Sequence, residues 1–166
     1  MVKFSIRPAV DKDHVAIMWV NKDAWESAYA HIYEPDEIRK LFAGEITQAG
    51  DWVGRRQGKG DTFVAVIEDE VIGFVSTTHL NIKGEGEITH LFVHPEYHRH
   101  GVGQALWNAG VDHLRKAQCT RVWVWVLEKA DAYAFYLHQG CEVQEEAEYR
   151  VGWHREKAIG CVLKLT

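Results

Sequence analysis

The chain has 166 residues, 46% hydrophobic and 26% charged, with a formal net charge of −5, a length that suits one domain spanning residues 1–166 with roughly 70% of its unfolded surface buried. The acidic balance, with no Lys/Arg cluster set against it, speaks against a nucleic-acid-binding face. No run approaches 18 apolar residues, which excludes a membrane-spanning helix.

Met1 to Pro8 alternates like a strand, with Phe4, Ile6 and Pro8 on one side, and lacks the apolar core of a signal peptide. Asp11 or Asp13 is placed to cap a helix over Val15 to Tyr29, and Pro35 opens a second helical piece with Ile38, Leu41 and Phe42. Gly54 to Gly60 is glycine-rich and basic, as in a surface loop. Thr62 to Ile67 and Val71 to Thr77 flank Glu68-Asp69-Glu70 and predict a hairpin. After a polar turn at Asn81 to Gly86 comes a strand over Glu87 to His94, then a helix from about Gln104 to Ala117, slightly weakened by Gly110. Arg121 to Leu127 is continuously apolar after its arginine, as in a strand buried on both faces. Asp131 to Gln139 reads as a short helix closed by Gly140 in the C′ position. Cys141 to Tyr149 and Ala158 to Leu165 make a last pair of strands. The order β-α-α-β-β-β-α-β-α-β-β predicts an α/β fold with a parallel pair inside a mixed sheet. Three scattered cysteines predict reduced thiols in a cytoplasmic protein.

The most informative stretch runs from Leu91 to Leu106, where an apolar strand ends before Pro95 and a polar loop brings Gly101 and Gly103 to the start of an amphipathic helix. Backbone N–H groups and a helix N-terminus gathered there suit a phosphate or pyrophosphate. A Walker A loop is excluded, because Gln104-Ala105 follows Gly103 in place of Lys and Ser/Thr. The dinucleotide fingerprint fails as well, since Leu106 stands where a small residue is needed. Val93, Pro95, Gly101 and Gly103 instead fall in register with V-x-P-x-x-(Q/R)-x-x-G-x-(G/A). The run thereby resembles the acyl-CoA loop of the GNAT superfamily of N-acyltransferases, with His98 standing where Gln or Arg is usual. Ala132, Phe135, Tyr136, Gly140 and Cys141 resemble that family's N-x-x-A-x-x-F-Y-x-x-x-G-F pattern, with Lys129 in place of its Asn and Cys141 in place of its last Phe.

The resemblance covers nearly the whole chain and implies the GNAT fold, a mixed central sheet whose two parallel central strands splay apart to admit the pantetheine arm of CoA. It implies acetyl-CoA as cosubstrate, without a metal, and acetyl transfer to a primary amine of a small molecule by direct attack in a ternary complex. A protein or peptide N-acetyltransferase and a non-catalytic acyl-CoA-binding module are the alternatives. Nucleic acid and membrane are not expected as partners, and the resemblance leaves room for a homodimer.

Attack on a thioester requires a neutral amine, a polarised carbonyl and a stabilised thiolate, and alkyl ammonium groups titrate near 10. Glu87, six residues before Val93, resembles the family glutamate that acts as base through water. His90 is the rival, and period-2 alternation puts it on the opposite face of the strand unless a bulge reverses the register. Tyr136 resembles the tyrosine aimed at the cofactor sulfur, as general acid or as hydrogen-bond donor. Leu91, Phe92 and Val93 would bind the cofactor, with the oxyanion on the N–H of Phe92 or Val93. Arg99, His100, Gly101, Val102, Gly103 and Gln104 would hold the pyrophosphate. Trp25, Tyr29 and Ile32, spaced along one helical face, resemble a pattern in family members that acylate small amines, and a core stripe has the same spacing. An acyl-cysteine at Cys141 and a metal at His94, His98 and His100 are the weaker readings, the first having no adjacent base and the second no accompanying carboxylate or cysteine cluster.

Overall fold

The computed structural model describes residues 2–50 and 60–166. The basic, glycine-rich stretch expected as a surface loop therefore lies outside the described residues, except for Gly60, which opens a strand. The elements are β1 (Ser5–Pro8), α1 (His14–Ala28), α2 (Pro35–Phe42), β2 (Gln48–Gly50), β3 (Gly60–Ile67), β4 (Glu70–His79), β5 (Glu85–Val93), α3 (Val102–Lys116), β6 (Arg121–Leu127), α4 (Ala132–His138), β7 (Glu142–Val151) and β8 (His154–Lys164). Two differences from the predicted order stand out. β2, three residues long, is too short to carry a periodic signal. β8 begins at His154 instead of Ala158, because the polar run His-Arg-Glu-Lys continues the ladder with β7 beyond the core.

The eight strands form one sheet in the order β1-β3-β4-β5-β6-β8-β7-β2. The crossover through α3 makes β5 and β6 its parallel pair, while the other described pairs are antiparallel. Val20 of α1 packs with Val64, Val66 and Phe74 on one face of the sheet. On the other face α3 comes close enough that a Cβ on Gly110 would lie 3.1 Å from Val75 Cγ2 and 3.4 Å from Ile88 Cδ1. The glycine expected only to weaken the helix is thus what lets it seat on the sheet. Among the described residues no helix is long and apolar enough to cross a membrane.

Two irregularities in the central strands shape the site. The β5–β6 register runs from Glu85↔Arg121 to Ile88↔Val124 and stops. Beyond that point β5 continues to Val93 on β4 alone, and β6 continues to Leu127 on β8 alone. The expected splay is therefore present, and its mouth lies at the C-terminal ends of both strands. The second irregularity is a bulge: Thr77 pairs with Ile88 and Ser76 with His90, which leaves Thr89 as the extra residue. Thr78, opposite Glu87, and Ser76, opposite His90, share a face of β4. Glu87 and His90 therefore lie on the same face of the sheet, correcting the alternation expected for an unbroken strand.

The corner entering α1 also differs from expectation. Asp13 does not cap α1 with its side chain. Its carboxylate accepts from Arg7 Nη1 at 2.7 Å, from Arg7 Nη2 at 3.0 Å and from the Val10 N–H at 2.8 Å. The Arg7 hydrogen bonds, then the Val10 N–H, hold the carboxyl at about 2 against an ordinary 3.8. A pKa lowered in the folded state adds stability that is fully present above the unfolded value and is lost as pH falls through the folded one. Asp13→Asn should therefore lower Tm at neutral pH and flatten the fall in Tm between about pH 4 and pH 2. An acid slope equal to that of the wild type in a thermal melt series would contradict this.

Candidate active site

The phosphate loop is built from the end of β5. The His94 N–H donates to the Ile72 carbonyl at 2.8 Å, and Pro95–Tyr97 forms a single 3-10 turn. Arg99 (φ 64°) and Gly101 (φ 81°) both occupy the left-handed region, which turns the chain sharply into α3. Ala105 is the first residue to close a helical bond, from its N–H to the Gly101 carbonyl at 3.1 Å. The N–H groups of Val102, Gly103 and Gln104 belong to the helical end whose donors have no intrahelical partner, and the positive end of the dipole lies among them. The approach to them is open: a Cβ at Gly101 would meet nothing within 4 Å, and one at Gly103 only Val93 Cγ2 at 3.8 Å.

His98, where the family usually has arginine or glutamine, lines the cleft beside the loop. Its Nε2–H donates to the Val93 carbonyl at 2.9 Å, bracing the loop against the strand that precedes it. Gln104 and Gln139 exchange amide hydrogen bonds at 2.9 and 2.7 Å, which tie the first turn of α3 to the end of α4.

A cleft of about 780 Å³ passes beside this loop and draws its lining from both faces of the sheet. Gly101, Gly103, Phe135 and Tyr136 come from the α3 side, while Trp25, Tyr29, Phe42 and Tyr149 come from the α1 side. Between them lie Ile88 to Val93 and Val124 to Leu127, the two splayed strand ends. The cleft is therefore a slot through the sheet. Of the residues expected to hold the cofactor, Leu91, Phe92, Val93, Arg99, Gly101, Gly103 and Gln104 line it, whereas His100 and Val102 do not. Because the His94 N–H points at β4, strand alternation turns the Phe92 N–H toward β4 as well and the Val93 N–H toward the gap. Phe92 is thus removed as the expected oxyanion donor, and Val93 is retained.

Tyr136 lines the slot and is otherwise 6% exposed, with Trp107 and Phe135 each 5.5 Å away between ring centroids. Burial pushes its phenol well above the ordinary 10. Cys141, by contrast, is buried against the core, and burial, then Cys161, raises its thiol to about 12. Such a thiol is a packing residue and not a nucleophile. Lys129, where the family often has Asn, points its ammonium at Glu156 at 3.3 Å and does not line the slot.

On the α1 side, Trp25 and Tyr29 meet edge to face at 4.4 Å, with Phe42 6.0 Å from Trp25. Burial raises the Tyr29 phenol to about 12. Ile32 lies past the end of α1, in a turn whose N–H donates to the Tyr29 carbonyl, and it packs on the core outside the slot. The expected helical face therefore keeps two of its three members, since the helix ends first. Trp125 and Tyr149 complete the aromatic wall and were not expected. No local pattern marks them; they arrive because β8 places β6 and β7 on its two sides.

Glu87 and His90 separate by depth. Glu87 is 1% exposed and lies outside the lining, while His90 is exposed in the slot with its Nδ1 3.0 Å from Thr89 Oγ1. The loop histidines point to different neighbours, His94 to Asp23 at 3.3 Å and His98 to Val93.

The model of the Acetyltransferase (GNAT) family matches residues 15–141. The uncharacterized N-acetyltransferase YuaI of Bacillus subtilis (strain 168) is 28% identical over 162 residues, 94% of this chain and 90% of that protein. Among solved structures, the PaiA N-acetyltransferase of Thermoplasma acidophilum, in complex with coenzyme A, aligns with a TM-score of 0.71 at 16% identity, covering 99% of this chain and 100% of that one. The ribosomal-protein-S18-alanine N-acetyltransferase of Escherichia coli aligns with a TM-score of 0.65 at 20% identity, covering 99% and 95%.

Proposed function

The chain belongs to the GNAT acetyltransferase family, and on that premise we propose that it moves an acetyl group from acetyl-CoA to the primary amine of a small molecule, by direct attack in a ternary complex. The observation that carries the proposal is the slot through the sheet, open to a phosphate cradle on one face and walled by aromatic rings on the other. Acetyl-CoA enters from the α3 side, its pyrophosphate on the N–H groups of Val102 to Gln104 and beside Arg99. The Val93 N–H donates a hydrogen bond to the thioester oxygen as it becomes an oxyanion. The amine arrives from the α1 side between Trp25, Tyr29, Trp125 and Tyr149, whose ring faces suit a cation or an apolar body. Three free, buried cysteines fit a reducing, cytoplasmic setting.

Removing the ammonium proton falls to the face that Glu87 and His90 share. His90 reaches the slot directly, and Glu87 acts from behind it through an intermediary, two ladder steps or about 7 Å away. His90→Gln should lower kcat/KM most below the amine pKa, with partial recovery at high pH, and Glu87→Gln should do so less strongly. If only Glu87→Gln alters the pH profile, the carboxylate working through water takes the role.

The proposal is tested by acetyl-CoA-dependent thiol release with a panel of small amines, amino acids and N-terminal peptides. Turnover of small amines is expected. Turnover confined to peptides would make the chain a protein acetyltransferase, and CoA binding without turnover across the panel would make it a binding module.

A further inference from the structure

A second cluster of ligand-type side chains lies away from the slot. Asp61, His79 and His113 each offer one ligand atom, and these atoms lie within 4.8 Å of one another. Their convergence follows from three periodicities. Asp61 pairs with Thr77 across the β3–β4 ladder, and His79 stands two residues beyond Thr77 on the same face. A Cβ on Gly110 would lie 3.4 Å from Thr77 Cγ2, so this is the face that α3 covers, and His113 stands one turn beyond Gly110. His113 is ten residues past Gly103, about 15 Å along the helix from the phosphate cradle.

Each residue makes a further contact. The Thr77 hydroxyl donates to the Asp61 carbonyl at 3.2 Å, fixing the backbone that carries the carboxylate. His79 Nδ1 is 3.7 Å from Cys119 Sγ, which leaves Nε2 for another partner. The His113 ring meets Phe63 edge to face at 5.2 Å, and its Nε2 lies 2.9 Å from Asp61 Oδ2. Ligand atoms around a tetrahedral metal with bonds of 2.0–2.2 Å sit about 3.3 Å apart. The Asp61–His113 pair is close to that separation already, with a proton where the metal would sit. Asp61 is exposed and the two histidines are half-buried, so closing the third side requires only side-chain rotation at an accessible edge.

We propose that Asp61, His79 and His113 form a site for a zinc-class divalent transition metal, which clips α3 to the β3–β4 ladder. Two imidazoles and one carboxylate select borderline metals over magnesium, and they leave a fourth position for water. The β3–β4 hairpin and the more distant α3 would be joined by one ion, so binding should appear as folding stability.

Co2+ and Zn2+ titrations of the metal-free protein test this. The wild type should bind one equivalent of Co2+ with the visible bands of four-coordinate cobalt, lose them to Zn2+ and keep them under excess Mg2+. A Zn2+ concentration a hundredfold above Kd should raise Tm by roughly 5–10 °C. Asp61→Asn and His113→Gln should each weaken binding by more than about 100-fold, beyond the 10–100-fold that an outer partner costs. His94→Gln and His98→Gln should leave it unchanged, which separates this site from those two loop histidines. Asp61 is exposed, so Asp61→Asn serves as the folded control should His113→Gln melt early. The site is refuted if the wild type shows no one-equivalent Co2+ binding, or if that binding survives Asp61→Asn at wild-type affinity. Neither result bears on acetyl transfer, which is assayed apart.

Discussion

Replacing Tyr136 with phenylalanine should lower kcat by roughly ten- to a thousand-fold, while acetyl-CoA affinity and Tm stay near wild type. The hydroxyl is useful only once the C–S bond breaks and charge gathers on sulfur, so it stabilises the transition state more than the bound thioester. Burial holds the phenol protonated throughout the working pH range, so it is a hydrogen-bond donor at every pH of interest. The same raised pKa makes it a reluctant acid, which places the expected effect below the top of the range for a general acid. Little stability should be lost, because the ring keeps its contacts with Trp107 and Phe135. Steady-state kinetics with calorimetry of CoA binding decide the matter. Lost affinity with intact kcat would make Tyr136 a cofactor clamp, and unchanged kinetics would reduce it to packing.

Gly103→Glu should weaken CoA binding by about 100-fold or more without unfolding the protein. A Cβ here meets only Val93 Cγ2 at 3.8 Å, an ordinary contact, and the position lies in the first turn of α3. A carboxylate in the first turn of a helix interacts favourably with the dipole, so Tm should hold or rise. The same charge would occupy the pyrophosphate's place. Two unit charges 4 Å apart repel by about 4 kcal/mol at an effective dielectric of 20, and solvent in an open loop reduces this. About 2.7 kcal/mol corresponds to 100-fold. Stability and binding therefore move apart, a combination that general damage to the fold does not produce. Unchanged CoA affinity in calorimetry would remove the phosphate cradle from this loop.

Much of the fold was legible because its signals are local. The apolar run of β6, the Glu68-Asp69 turn between β3 and β4, Gly140 after α4 and the strand–loop–helix around Gly101 and Gly103 depend on residues close in sequence. Their backbone requirements belong to those residues: a positive φ at Gly101 and Gly140, and full burial over the middle of β6. The resemblance to the family then supplied the splay of the two parallel central strands, which the gap between β5 and β6 bears out.

What escaped the sequence is whatever depends on pairing between distant segments. The alternation that separated Glu87 from His90 is a property of an unbroken strand, and one extra residue at Thr89 reverses it. That bulge answers to the register with β4, on which the β5 pattern is silent. Trp125 and Tyr149 meet in the slot only because β8 lies between β6 and β7, and Ile32 drops from the acceptor wall because α1 stops short of it. Asp61, His79 and His113 look like isolated polar residues in the chain, and the ladder and the helix seat bring them together. Residue identity along the chain determined the loop, the elements and the family, because hydrogen bonding and φ preferences act over a few residues. Which face each side chain serves, and which chemistry meets which, was decided by strand register and helix packing, because those are set by burial across the whole sheet.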